Sequence, residues 1–152
     1  MSWEYNRRVK YYETDRMGVV HHSNYLRLLE DARMEWLREN LICYNELERL
    51  GVIIPATSAF GNFLNYLRYD DPFKIIIKLI GFKGVKMHFS YQVINTETNE
   101  ICYEGESSHF FAKDGDYKPY LSFRREFPEL YNKMVSLIET LHKFSPLSSE
   151  WA

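Results

Sequence analysis

The chain has 152 residues, enough for one domain whose core removes roughly 70% of the unfolded surface from water. Its 19 Lys and Arg against 21 Asp and Glu leave a formal net charge of −2, which excludes the global basic footprint of a nucleic-acid binder. Apolar residues at 45% and charged residues at 26% exclude a disordered chain, and the 16% of aromatics favours strands with a large apolar interface or pocket.

Trp3, Tyr5, Val9 and Tyr11 alternate from Trp3 to Tyr12, which predicts a strand with Arg7 as the exception on its apolar face. Glu13 to His22 holds Thr14, Asp15 and Gly18 and reads as a loop, with Ser23 as N-cap of the next element. From Asn24 to about Asn40 the spacing is helical. Tyr25, Leu29, Ala32, Trp36 and Leu37 line one face, and Arg27–Asp31, Glu30–Arg33 and Glu35–Arg38 are candidate pairs on the other. A short helix over Tyr44 to Leu50 is expected to stop at Gly51.

Strand signals follow. Val52 to Arg68 reads as one long strand with a bulge or bend at Gly61, and Asp70-Asp71-Pro72 as a turn. Phe73, Ile75, Ile77 and Leu79 alternate in one strand; Val85, Met87, Phe89, Tyr91 and Val93 alternate in the next. After a turn at Thr98-Asn99, Ile101 to Lys113 reads as a strand, Asp114-Gly115-Asp116 as a hairpin signal and Tyr117 to Phe123 as a short strand. Pro128 opens a last helix to about residue 143, with His142 and Lys143 near its end and Pro146 stopping it. The order predicts an α+β fold, one long helix on an antiparallel sheet, in a single domain over 1–152.

Two cysteines, Cys43 and Cys102, are too few for a disulfide framework, and neither has a Cys or His at zinc-ligand spacing. The N-terminus lacks an apolar h-region, and Phe73 to Phe82 is too short to span a bilayer as a helix. The expectation is a cytoplasmic protein with no membrane insertion. Phosphate loops, dinucleotide turns, zincin helices and serine-hydrolase elbows are missing, so no cofactor is expected. His21 and His22 are adjacent, expected to point apart and to chelate poorly, so no metal site is expected.

What remains is the segment Tyr12 to Tyr25, which places Asp15 in a loop leading straight into the long helix. The first N–H groups of that helix are free donors with partial positive charge and can hold a developing oxyanion. On spacing alone the stronger reading of Asp15 is an ordinary hydrogen-bonding turn residue.

The run YYETDRMGVVHHSNYLRLLEDARMEWL closely resembles hotdog-fold acyl-CoA thioesterases of the 4-hydroxybenzoyl-CoA thioesterase and YbgC-like family. Their signature is Tyr-x-x-Thr/Cys-Asp-x-x-Gly-Val-Val-x-His-x-x-Tyr before the central helix. The likeness continues more weakly through Tyr69-Asp70-Asp71, Glu104-Gly105 and Asp114-Gly115, although Tyr66-Leu67 replaces the Pro-Ala the family often has.

The resemblance implies an antiparallel sheet wrapped round the helix and an active site between two subunits, in a homodimer or dimer of dimers. It implies Asp15 as nucleophile or general base toward an acyl-CoA, with the carbonyl oxygen held near His22. Gly18, His22, Ser23 and Tyr25 are then candidates for oxyanion and substrate positioning. Lys83 and Lys86, flanking Gly84, and Lys118 are candidates for the CoA phosphates. Glu30 lies about 10 Å along the helix from Ser23, too far to act on that carbonyl within one subunit. The alternatives are an acyl carrier protein thioesterase or a non-catalytic acyl-thioester binding protein of the same fold.

Overall fold

The computed structural model describes residues 3–139. Five antiparallel strands form the main sheet: β1 (Trp3–Arg8), β3 (Ala56–Phe63), β4 (Pro72–Lys83), β5 (Lys86–Asn95) and β6 (Ile101–Phe110), in the order β1-β4-β5-β6-β3. A second, two-stranded sheet pairs β2 (Val52–Ile53) with β7 (Ala112–Lys113).

The long helix α1 (Asn24–Asn40) lies on one face of the main sheet and buries Tyr25, Leu28, Leu29, Ala32, Trp36 and Leu37. Trp36 meets Phe89 of β5 edge to face at 5.1 Å. Phe73, Ile75, Ile77 and Leu79 of β4, with Met87, Phe89, Tyr91 and Val93 of β5, supply the other half of the core. The alternation read from the sequence is therefore the face that meets α1. The short helix α2 (Tyr44–Arg49) stops before Gly51, whose φ is +80°.

Several elements differ from the sequence expectation. The first strand ends at Arg8, and Tyr11–Glu13 forms a 3-10 turn. Arg7 keeps its strand parity because Glu13 satisfies its charge. The expected strand from Val52 to Arg68 is two strands, β2 and β3. The register irregularity falls between Ala56 and Ser58, and Gly61 pairs regularly with Gly105. The expected strand from Ile101 to Lys113 likewise divides, β7 leaving the main sheet to pair with β2.

Asp114-Gly115-Asp116 turns, but no strand over Tyr117 to Phe123 follows. Tyr117 has φ +59°, only Pro119 makes an isolated bridge to Ala112, and Phe123–Glu126 is the short helix α3. The last helix, α4, runs over Pro128–Ser136, shorter than expected. It is capped at Leu137, and the Glu139 N–H then donates to Leu79 O. His142, Lys143 and Pro146 lie outside the described residues.

On the outer face of α1 only Glu35–Arg38 pairs, at 3.5 Å. Asp31 lies 3.8 Å from Arg7 instead of pairing with Arg27, and Arg33 donates to Tyr91 Oη at 3.1 Å instead of pairing with Glu30. No helix among the described residues is long and apolar enough to cross a membrane.

Candidate active site

The loop before α1 is a small hairpin. Thr14 bridges Val20, the Asp15 N–H donates to Val19 O at 2.8 Å, and the Gly18 N–H donates to Asp15 O at 2.9 Å. Arg16, Met17 and Gly18 form the tip, and Gly18 takes φ +82°, the left-handed conformation that such a three-residue tip requires. The N–H of Gly18 is thus committed to Asp15, and its part in the site is to turn the chain.

Asp15, half-buried, accepts the Met17 N–H on Oδ1 at 2.8 Å. This is the ordinary turn contact of an aspartate. Its second oxygen has no partner among the described residues and faces no competing hydrogen bond.

The hairpin is clasped from below by Glu13, which the sequence did not single out. The Glu13 carbonyl accepts the His21 N–H at 2.9 Å and Asn24 Nδ2 at 2.8 Å, tying both hairpin strands to the start of α1. Its carboxylate accepts the Lys10 N–H at 2.7 Å and pairs with Arg7. Burial alone would raise the Glu13 carboxyl. The Arg7 hydrogen bond, the Lys10 backbone N–H and the Arg7 charge outweigh it and hold the group below its usual range. Arg7 also lies 5.2 Å from the centroid of the Phe73 ring. The available signal was Arg7 itself, a cation on an apolar strand face that demanded a nearby carboxylate.

Beyond the hairpin the chain enters α1. Ser23 occupies the N-cap position but does not cap the helix. Its Oγ lies 2.8 Å from His21 Nδ1, which also accepts the Ser23 N–H at 3.1 Å. The His21 and His22 rings stack at 4.2 Å and do not point apart. The Asn24 and Tyr25 N–H groups donate to His21 O and His22 O, so the His22 N–H is left without an acceptor among the described residues. It is a free donor beside the helix start.

The Tyr25 ring is buried, stacked on Tyr103 at 5.1 Å and edge-on to Phe63 at 5.3 Å. It forms a wall of the site, and burial pushes its phenol up. Glu30 is exposed and has no ion pair among the described residues.

The three lysines gather elsewhere. Lys83 and Lys86 face each other across the Gly84 turn and line a cavity of about 340 Å³ with Thr57, His88, Ser108 and His109. Burial, then the charges of Arg33 and His88, push His109 down to about 3, so it is neutral near pH 7 and the positive charge here is that of the lysines. The Phe111 N–H donates to Val85 O and Ala112 bridges Pro119, which brings exposed Lys118 to the same end of the sheet.

The Asp15 hairpin is at the other end. Val19 bridges Arg68, whose N–H donates to Asp71 beside the start of β4. Lys83 ends that strand, about 35 Å away at strand rise. The structure therefore groups Asp15, Gly18, His22, Ser23 and Tyr25, groups the lysines, and separates the two groups within one chain.

A long helix wrapped by an antiparallel sheet, with this hairpin at the helix N-terminus, is the hotdog fold. Residues 9–135 match the thioesterase-like superfamily. A relative from Aquifex aeolicus is 34% identical over 115 residues, 76% of this chain and 88% of the relative. The acyl-CoA thioester hydrolase YbgC of Escherichia coli is 30% identical over 101 residues, 65% of this chain and 73% of that protein. The crystal structure of a DHNA-CoA thioesterase from Staphylococcus aureus superposes with a TM-score of 0.81 at 24% identity, over 99% of this chain and 95% of that one. The chain belongs to the thioesterase-like superfamily and is an enzyme of the thioester-hydrolase class.

Proposed function

We propose that the protein hydrolyses an acyl-CoA to the free acid and CoA, with Asp15 as nucleophile or general base. The observation that carries this is a half-free carboxylate at the base of the hairpin tip together with an unpaired His22 N–H where the same hairpin enters α1. The thioester carbonyl oxygen accepts the His22 N–H, so charge developing on that oxygen meets a fixed donor at the positive end of a helix. Asp15 either attacks the carbonyl carbon, expelling the CoA thiolate and leaving an anhydride for water to open, or takes a proton from the attacking water. The His21–Ser23 contact fixes the backbone that presents the donor, and Gly18 shapes the tip that presents Asp15.

The lysines join this site through a second copy of the chain. Of the two sheet edges, β1 carries Glu4, Arg7 and Arg8, whereas β3 reads ATSAFGNF without a charge or a proline. Such an edge invites pairing with another strand. Two β3 edges related by a two-fold axis run antiparallel. The Ala56 end, beside His109 and the lysine cavity, then lies near the partner's Phe63 end, beside Tyr25 and His22. A homodimer, or a dimer of dimers built from it, thus places Lys83, Lys86 and Lys118 of one subunit toward the Asp15 of the other.

The test is thiol release from a panel of acyl-CoAs and of acyl carrier protein thioesters. Turnover of CoA thioesters supports the reading. Turnover of carrier-protein thioesters alone replaces CoA as the carrier, and release from neither refutes hydrolysis.

A further inference from the structure

Beside His22 the sheet carries an arrangement that the chemistry at Asp15 does not use. Gly61 of β3 and Gly105 of β6 lie directly opposite each other. The Tyr103 ring lies across both: a Cβ on Gly61 would fall 2.1 Å from Tyr103 Oη, and one on Gly105 2.8 Å from it. Glycine weakens a strand interior and there marks a close approach. Here what approaches is a tyrosine ring lying down on the sheet, where strand side chains ordinarily stand away from it.

Tyr25, in the first turn of α1, stacks on Tyr103 at 22° between ring planes. Phe63 closes the side, 5.4 Å from Tyr103 and 6.4 Å from the His22 ring. Phe63 is 56% exposed and Tyr103 is 3% exposed. The group is an aromatic wall, exposed at Phe63 and sealed at Tyr103.

Resting on the thioesterase reading above, we propose that Tyr103 is a specificity-determining residue that sets the depth of the acyl pocket, admitting short aliphatic or single-ring acyl groups and turning away longer chains. An acyl group whose carbonyl oxygen meets the His22 N–H runs along Phe63 and ends against the Tyr25–Tyr103 stack. Behind that stack the floor at Gly61 and Gly105 carries no side chain, and the Tyr103 ring fills the space they leave. Removing the ring opens that space to further methylenes.

The experiment measures kcat/KM over a saturated acyl-CoA series from butyryl to tetradecanoyl, together with Kd for the matching non-hydrolysable thioether analogues. The wild type is expected to favour the short members. Tyr103→Ala should raise the long-to-short ratio at least about tenfold, the lower range for a methylene-sized change in a hydrophobic pocket. Tyr103→Phe keeps the ring and should leave the ratio unchanged. Tyr103→Leu should shift it the same way by less, and it provides the measurement if Tyr103→Ala does not fold. A folded Ala or Leu variant with the wild-type ratio overturns the role of Tyr103. Protein that cleaves no thioester, but whose thioether Kd values favour short chains in the wild type and shift toward long ones in the Ala or Leu variant, overturns the hydrolase reading and upholds the role of Tyr103.

Discussion

Arg7 Nη1 lies 2.9 Å from Glu13 Oε1 at the root of the hairpin that carries Asp15. The pair is largely withdrawn from water, with side-chain exposures of 15% and 8%. Its placement matters because Glu13 also holds the return strand of the hairpin and the first residue of α1 through its carbonyl. One residue thus couples the strand β1, the Asp15 hairpin and the helix terminus.

Glu13→Gln should destabilise the fold by about 3 kcal/mol, the lower end for removing one partner of a buried ion pair, because Arg7 retains some solvent. The Glu13 carboxyl is held below its usual value of 4.5 in the folded protein. Its stabilisation is therefore fully present above that value and is lost as pH falls through the folded pKa. Urea unfolding of the wild type between pH 6 and pH 3 should show this loss, and Glu13→Gln should lack it. Burial pushes the nearby Asp31 carboxyl the opposite way and the Glu13 charge adds to that rise, so the difference between the two proteins reports Glu13 together with its coupling to Asp31. Identical pH dependences would remove the pair from the account.

Replacing Lys83 and Lys86 together by Ala should raise KM for acyl-CoA several-fold at low salt and leave kcat nearly intact. Uniform binding is lost while the reacting atoms are untouched. Both side chains are exposed, so the salt dependence of KM should flatten in the variant. An unchanged KM at low salt would move the nucleotide end of CoA away from this turn, toward Lys118.

Ala59→Lys places a charge in the middle of the uncharged β3 edge, opposite its own copy or close to it in a two-fold pairing. Light scattering of the wild type should give twice the chain mass of 18.3 kDa or a multiple of that, and the variant should dissociate. Because the lysines and Asp15 of one chain lie at opposite ends of the sheet, the dissociated variant should also lose activity. An active wild-type monomer at low micromolar concentration would contradict the shared site.

The sequence showed what depends on regular spacing. Tyr25, Leu29, Ala32, Trp36 and Leu37 repeat every three or four residues, and all are buried in α1. The alternations of β4 and β5 match the face that meets the helix. Features set by partners distant in sequence were not legible. Gly61 looked like a bend, because its reason is the ring of Tyr103 on a strand that pairs with it from far along the chain. Ser23 looked like a cap, and its hydroxyl is instead engaged by His21 two residues away. Tyr117 to Phe123 looked like a strand, but Tyr117 has φ +59° and the chain turns there. The hairpin around Asp15 was legible only as a loop, since its pairing of Thr14 with Val20 is a tertiary contact without apolar alternation.

Whether Asp15 does the chemistry is read from steady-state turnover of Asp15→Asn on an acyl-CoA that the wild type cleaves. Asn keeps an oxygen to accept the Met17 N–H, so the hairpin and the thermal midpoint should survive. It removes the negative charge, and with it both attack on the carbonyl and proton abstraction from water. The kcat should fall at least about 10²-fold, the lower range for lost general-base catalysis, with a much smaller change in KM. A folded Asp15→Asn protein with near wild-type turnover would contradict this role of Asp15 and leave the hairpin as scaffold alone.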